Sequence, residues 1–326
     1  MTLVAVACAT LLAACGGQSA TSEGPASEAV PTAFADPDAS GEDLANAWLG
    51  LLSLTGRQAG DAAETTEEVE ASKAFVRPYF DQAFTLVRAT GQRYTADTYV
   101  PLDIDDFEVT DVVVTEPRED IRVVRYVVSQ PGATAPELGV VMSSDAAPRI
   151  TVFRWDEGLG HWVLASHANF NSPIAALCDR SPIAVSGKPP ETSPEDIDLG
   201  TSLIEQWRAI TLGESKEKVS HESFQIQLAD GQGWPTADGK PIEWSPASSY
   251  DVSNIGITRN GDLLVASYDA VVSDIVMEGD EYAETTSPRL LTYLLSPEGK
   301  WELIALANFT VPQEIPADVD CVSLGS

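Results

Sequence analysis

The sequence is poor in basic residues. It has 19 Lys and Arg against 50 Asp and Glu in 326 residues, which gives a formal net charge of −31. A protein that binds nucleic acid needs clustered basic side chains to neutralise phosphates and displace their counterions. The composition therefore excludes nucleic acid as an expected partner. It favours a soluble protein whose own charge opposes aggregation.

Residues and motifs that carry metal or cofactor chemistry are also scarce. The chain has three histidines (His161, His167 and His221) and four cysteines. It contains no HExxH, no paired CxxC, no GxSxG and no Walker loop. We therefore expect neither a bound metal nor a cofactor, and we assign no catalytic residue.

Long apolar segments are lacking too, and Leu3–Ala14 is too short to span a bilayer as a helix. This segment fits the hydrophobic region of a secretory signal, although Met1-Thr2 lacks the usual basic residue. The residues Leu12-Ala13-Ala14-Cys15-Gly16 resemble a bacterial lipobox. The resemblance implies that residues 1–14 are a signal peptide and that Cys15 is joined to membrane lipid. An ordinary secretory signal is the alternative.

One segment of the chain is present twice. His161–Pro173 (HWVLASHANFNSP) returns 139 residues later as Lys300–Pro312 (KWELIALANFTVP). A second pair, Phe84–Tyr94 and Phe224–Trp234, repeats with an offset of 140 residues. A period of this length is typical of a duplicated domain and is too long for a solenoid unit.

The repeat divides the chain into two similar domains of α+β class. Each is predicted to begin with helices, capped at Ser40 and Ser193, and to continue as antiparallel strands. Asn260-Gly261 between two β-rich segments is a strong hairpin signal. We assign residues 1–14 to the signal, 15–40 to a disordered tether, 41–178 to the first domain, 179–193 to a linker, 194–321 to the second domain and 322–326 to a tail.

Two cysteines remain once the signal is removed and Cys15 is acylated. Cys178 follows Phe170 by eight residues, and Cys321 follows Phe309 by twelve. An exported protein lies in an oxidising setting that permits a disulfide. We interpret the two as a bridge between the tails of the domains. Two free buried thiols are the alternative.

The order of elements, closed by the strand W-x-L-x-x-x-A-N-F, resembles the nuclear transport factor 2 family. The resemblance covers about Gly41–Cys178 and Pro194–Cys321. It implies two tandem cone-shaped domains, each with helices packed on a curved antiparallel or mixed sheet and a pocket between them. Members of the family often pair through their sheets. The resemblance therefore also implies that the two copies form an internal pseudo-dimer.

Seven residues are candidates for lining such pockets. The tyrosines could donate hydrogen bonds to a ligand, although core packing is the simpler interpretation. His167 could serve as a base, but a structural histidine is preferred, and strand alternation places it on the face opposite Trp162. The asparagines could bond a ligand or satisfy backbone groups at the strand end. The seven residues are Tyr126, Tyr268, His167, Asn169, Asn308, Phe84 and Phe224.

Two matched arginines receive a plainer interpretation. Arg149 and Arg289 each follow a proline at the start of a predicted strand. Charged residues in that position are typical of solvated strand edges. We therefore expect both side chains to be exposed.

These observations predict a lipoprotein on the extracytoplasmic face of a bacterial cell envelope. Its domains would form a non-catalytic module that binds a small apolar ligand or an envelope protein. The alternative is an isomerase, dehydratase or cyclase that uses one cone pocket. Convergent ionisable pairs would favour the enzyme, and an apolar-lined pocket would favour ligand binding.

Overall fold

The computed structural model describes residues 31–55, 65–101, 104, 106–130, 146–187, 192–317, 319 and 321. The predicted signal peptide, the predicted acylation site Cys15 and the tail 322–326 lie outside these residues, as do parts of the tether and linker. Among the helices that the structure describes, none is both long and apolar enough to cross a membrane.

The first copy is a six-stranded sheet covered on one face by its first helix. Helix α1 (Gly41–Ser53) begins with a capping box in which Ser40 and Asp43 bond each other's backbone N–H, as predicted. Two shorter helices follow, α2 (Thr66–Val76) and, after the sheet, α3 (Pro173–Cys178). The strands are β1 (Phe80–Arg88), β2 (Arg93–Thr95), β3 (Glu108–Arg118), β4 (Ile121–Ser129), β5 (Ala147–Asp156) and β6 (His161–Asn169).

The second copy begins with helix α4 (Pro194–Thr211), capped by Ser193 as predicted. Within residues 192–317 this is the single helix. The strands are β7 (Ser220–Leu228), β8 (Gly233–Trp234), β9 (Trp244–Ser245), β10 (Ser249–Asn260), β11 (Leu263–Ser273), β12 (Val276–Met277), β13 (Asp280–Glu281), β14 (Ser287–Leu295) and β15 (Trp301–Asn308).

The two sheets have the same topology. Their strand orders are β2-β1-β6-β5-β4-β3 and β8-β7-β15-β14-β11-β10. In both, the closing strand runs parallel to the first strand, and the other pairs are antiparallel. The α+β fold class and the duplication are therefore confirmed. Strands β9, β12 and β13 form a small extra sheet in the second copy.

A bulge in the closing strand changes which side chains share a face. Val152 pairs with Ser166 while the next residue, Phe153, pairs with Leu164, which leaves an extra residue in β6. A bulge breaks the strict alternation of strand side chains. Trp162 and His167 consequently both face α1, so the prediction that they lie on opposite faces is wrong. The second copy has the same bulge in β15.

The faces of the two sheets that point away from α1 and α4 pack against each other. Their apolar side chains form one shared core that includes Val152 and Ala305. Thr85 of the first copy bonds Thr258 of the second at 2.9 Å. The positions equivalent to this pair, Gln225 and Thr115, bond each other at 2.9 Å. Such reciprocal contacts are characteristic of an isologous two-fold interface.

Two segments outside the predicted domains pack against them. Thr32–Ala35, assigned to the tether, forms a 3₁₀ turn that buries Phe34 in the first core. The Phe34 ring lies beside Tyr79, with ring centroids 4.8 Å apart and planes inclined by 44°. In the linker, Ser186 pairs with Gln92 beside β2.

The structure joins Cys178 to Cys321 through a disulfide with an S–S distance of 2.01 Å. The bond closes a loop of 143 residues in sequence separation. It ties the end of the first copy to the end of the second, next to the interface between the sheets.

Candidate functional site

The interior of the first copy contains a row of polar side chains. We call the layer between α1 and its sheet the first cone, and the equivalent layer under α4 the second cone. Arg88 on β1 pairs with Asn169 on β6, and Asn169 pairs with Arg149 on β5. Arg149 pairs in turn with Tyr126 on β4. Neighbouring strands are about 4.8 Å apart, so these four residues, the polar row, cross the floor of the first cone side by side.

A chain of hydroxyl and imidazole groups adjoins the polar row. The Tyr126 hydroxyl lies 3.1 Å from Thr151 Oγ1, which lies 2.7 Å from His167 Nδ1. All three side chains are buried. The structure therefore brings together three residues that the sequence singled out, Tyr126, His167 and Asn169, with a threonine that it did not.

The two matched arginines are buried, so the prediction that they are exposed is wrong. Arg149 is 4% exposed and Arg289 is 3% exposed. Arg149 Nη1 donates to the Pro148 and Phe170 carbonyl oxygens, at 2.7 and 2.8 Å. Side chains along a strand point alternately to the two faces of the sheet, and Arg149 points to the face covered by α1. An arginine near the start of a strand can then donate to backbone carbonyl oxygens at the strand end instead of to water.

Burial controls the ionisation of the first cone. Burial, together with the positive charges of Arg149 and Arg88, lowers the pKa of His167 to about 3. Burial also lowers the pKa of Arg149 to about 10, so this guanidinium stays charged at neutral pH. It raises the pKa of Tyr126 to about 12. At neutral pH the charged Arg149 therefore lies near a neutral imidazole and a neutral phenol.

Arg88, which the sequence did not single out, lies at the β1 end of the polar row. It is half-buried, and its Cζ lies 5.1 Å from the Tyr94 ring centroid and 6.0 Å from that of Tyr99. Such geometry is typical of a cation–π contact. Its Nε is buried and has no hydrogen-bond partner.

Aromatic rings form the wall of the first cone. The rings of Phe80 and Phe84 stack with centroids 4.0 Å apart, and Tyr99 meets both edge-on. Trp48 on α1 lies 6.0 Å from the His167 ring. Phe84, a predicted pocket residue, therefore belongs to this wall and is completely buried.

The second cone has residues at the same four positions, and one of them is apolar. Leu228, Asn308, Arg289 and Tyr268 occupy the four positions of the polar row. Tyr268 bonds Tyr250 through their hydroxyls at 2.8 Å. Leu306 stands where the first copy has His167.

The second cone encloses a small cavity. Its volume is about 20 Å³, and its lining includes Trp207, Trp244, Arg289, Leu306 and Asn308. This is room for about one water molecule. Of the predicted pocket residues in this copy, Asn308 lines the cavity. Phe224 packs near Trp207, with ring centroids 6.0 Å apart, and Tyr268 lies in the core behind it.

A separate crevice lies between the two copies, under the linker. Its volume is about 270 Å³, and Ala89, Ala229, Arg180 and Phe309 contribute to its lining. None of the predicted pocket residues lines it. The polar row of the first cone is therefore the place where the predicted residues converge.

The chain was compared with known proteins. No family model matches it, and no curated protein matches it. It is similar to an NTF2-like (nuclear transport factor 2-like) protein from Cytophaga hutchinsonii, with 18% identity and a TM-score of 0.28, over 37% of this chain and 100% of that one. For an NTF2-like protein with a cystatin-like fold from Novosphingobium aromaticivorans, the identity is 14% and the TM-score 0.25, over 40% and 90% of the two chains.

An NTF2-like protein of unknown function from Shewanella baltica is also similar, with 13% identity and a TM-score of 0.27, over 38% of this chain and 100% of that one. These structures include the family that the sequence resembles, and each covers about one copy. The likeness concerns the fold alone.

Proposed function

We propose that the protein is a lipid-anchored, extracytoplasmic lipoprotein of a bacterial cell envelope and that it binds a small ligand in its first cone without transforming it. Acylated Cys15 would hold it to the membrane. The observation that carries the binding function is the polar row, where Arg88, Asn169, Arg149 and Tyr126 converge beside an aromatic wall. Convergent polar groups in an apolar interior are typical of a ligand site.

The alternative, an isomerase, dehydratase or cyclase, has less support. General base catalysis works best when the pKa of the base is near the operating pH. His167 has a pKa of about 3 and is held by Thr151, so it is a weak base. The row contains no carboxyl group. Burial raises the pKa of Asp230, which accepts from Tyr282 at 2.7 Å, but neither residue lines the cavity of the second cone.

The contrast between the cones favours the first as the ligand site. The first cone adds Arg88 and His167, where the second has Leu228 and Leu306. We therefore place the ligand under α1 and give the second copy a supporting role through the shared interface.

Native mass spectrometry of the full chain, extracted from membranes in detergent, tests this proposal. We expect a small-molecule adduct that is retained under native conditions and lost on denaturation. A protein that carries no adduct, and that instead retains an envelope protein through extraction, would replace the small ligand with a protein partner. Conversion of a co-purified adduct to a new mass on incubation would refute the non-catalytic assignment.

A further inference from the structure

We infer that the first cone recognises an organic anion, a carboxylate on a small apolar body, through Arg88 and Arg149. The inference rests on the proposed binding function and specifies the ligand class for the same site. Four observations carry it: the charge of the polar row, the unsatisfied donor of Arg88, the aromatic wall, and the substitutions in the second copy.

The positive charge of the polar row has no counter-ion among the described residues. The groups that influence the pKa of Arg149 by charge are Tyr126, Arg88 and Tyr99, and none is a carboxyl group. Several half-buried arginines elsewhere in the described residues do have an acidic partner. Arg118, for example, lies 2.6 Å from Asp262, and Arg154 lies 3.2 Å from the same carboxylate.

Two unneutralised guanidiniums are costly in such an interior. Moving a charge out of water is unfavourable unless an opposite charge and hydrogen bonds compensate. A chain with 50 acidic residues could readily have supplied a carboxylate here. A ligand carboxylate would provide the missing charge and accept from several donors at once. Charge-assisted bonds to arginine are roughly twice as strong as neutral ones.

Arg88 is placed to meet such a ligand. Arg88 lies at one end of the row and is half-buried, while Arg149 lies further along it and is buried. The Nε of Arg88 lacks a hydrogen-bond partner. Asn169, also half-buried, lies between the two arginines and can offer its amide to the same group.

The aromatic wall beside the polar row indicates that the part of the ligand attached to its carboxylate is apolar. Tyr99 joins the two parts of the site: its ring centroid lies 6.0 Å from Arg88 Cζ, and it meets Phe80 and Phe84 edge-on. An inorganic anion would leave this apolar surface unused. A carboxylate attached to an aromatic or aliphatic body would satisfy both parts of the site.

The second copy has the same fold but lacks one of the two arginines of the proposed anion site. It keeps the interior arginine: like Arg149, Arg289 donates to the carbonyl oxygen of the proline before it, and it also donates to the Ser287 and Thr310 hydroxyls at 2.7 and 2.6 Å. It has Leu228 in place of Arg88. The same framework thus accepts leucine at this position, which makes Arg88→Leu a substitution compatible with folding.

The test is isothermal titration calorimetry on the purified full chain. Benzoate is the probe, benzamide is its neutral isostere, and inorganic phosphate is an anion without an apolar body. We expect benzoate to bind at least about tenfold more tightly than benzamide or phosphate. Arg88→Leu should weaken benzoate binding by about tenfold or more. Arg77→Leu, which removes the same charge from an exposed position, should leave it unchanged.

Several results would overturn the inference. Equal affinity for benzoate and benzamide, or unchanged benzoate binding in Arg88→Leu, would refute charge recognition while leaving the binding function in place. If phosphate binds as tightly as benzoate, the inference that the ligand has an apolar body is refuted. Absence of benzoate binding at millimolar concentration would refute the anion class, whereas an adduct in native mass spectra would still support the binding function. If Arg88→Leu does not fold, Arg88→Gln serves with the same readout.

Discussion

The rings of Phe170 and Phe309 stack with centroids 4.2 Å apart and planes inclined by 22°. They are the same residue of the two copies, the phenylalanine of the Ala-Asn-Phe segment. A residue can contact its own equivalent across an isologous interface only near the symmetry axis. The stack therefore marks the pseudo-two-fold axis that relates the two halves of the chain.

At the interface between the two copies, the backbone at Gly233 lies close to the Arg125 side chain, and substitution of this glycine tests that contact. A Cβ on Gly233 would overlap the guanidinium of Arg125, whose Nε donates to Gln225 at 2.8 Å. Gly233→Ala should therefore displace the Arg125 side chain and destabilise the protein by about 1–3 kcal/mol, measured by urea unfolding. Gly50→Ala is the control, because the nearest atom to its Cβ is 3.5 Å away in Pro31. Equal stability of the two variants would contradict the described interface.

The disulfide should contribute to stability by restricting the unfolded chain. Replacing both Cys178 and Cys321 by serine should lower the free energy of unfolding by roughly 2–5 kcal/mol, since the bond closes a long loop. Guanidinium unfolding with and without reductant measures this. Reductant should shift the midpoint of the wild type and leave that of the double variant unchanged. A wild-type midpoint insensitive to reductant would show that the bond is absent or without effect on stability.

Burial of a neutral histidine predicts a specific pH dependence. Folded His167 stays unprotonated down to about pH 3, whereas in the unfolded chain it takes up a proton near its ordinary pKa of 6.5. Its contribution to stability is therefore fully present above pH 6.5 and is lost as the pH falls from 6.5 towards 3. The slope from this group is at most about 1.4 kcal/mol per pH unit.

His167→Leu tests this, since the second copy has Leu306 at the same position. The variant should lose stability less steeply than the wild type between pH 6.5 and 4, as followed by thermal unfolding. His221→Asn is the control, and its stability should fall between pH 6.5 and 4 as steeply as that of the wild type. Identical slopes for wild type and His167→Leu would mean that His167 is protonated in the folded protein.

The lipobox predicts where the protein is found in the cell. Cys15→Ser should move it from the membrane fraction to the soluble fraction, because the acyl chains that anchor it would be missing. Fractionation followed by immunoblotting is the measurement. Cys8→Ser changes a cysteine within the signal itself and should leave the protein at the membrane. Membrane association of Cys15→Ser would rule out acylation of this residue as the anchor.

Much of the fold could be predicted from the sequence because the duplication repeats its strongest signals. The paired Ala-Asn-Phe segments, the Asn260-Gly261 hairpin and the serine caps at Ser40 and Ser193 are local patterns with local causes. The position of His167 could not be predicted in this way. Alternation fails at a bulge, and a single extra residue in β6 reverses the face of every residue after it.

The arginines of the candidate site were missed for a different reason. A charged residue after a strand-initial proline is usually exposed, and nothing local distinguishes Arg149 from that common case. One comparison could have found Arg88. Aligning the copies over β1 and β7 places Arg88 against Leu228, and a charge replaced by leucine at a matched position indicates a difference in function rather than in folding. The register that aligns Arg88 with Asn169 and Arg149 depends on long-range pairing, which one sequence does not reveal.

Joining the two halves in one polypeptide has an evolutionary consequence. In a homodimer every substitution is made twice, so a cation introduced into one cone would be introduced into the other as well. Here Arg88 and His167 are present in the first copy alone, beside Leu228 and Leu306 in the second. Duplication thus allowed the two cones to differ, with a cation and an imidazole in one and leucines packed into the core under α4 in the other.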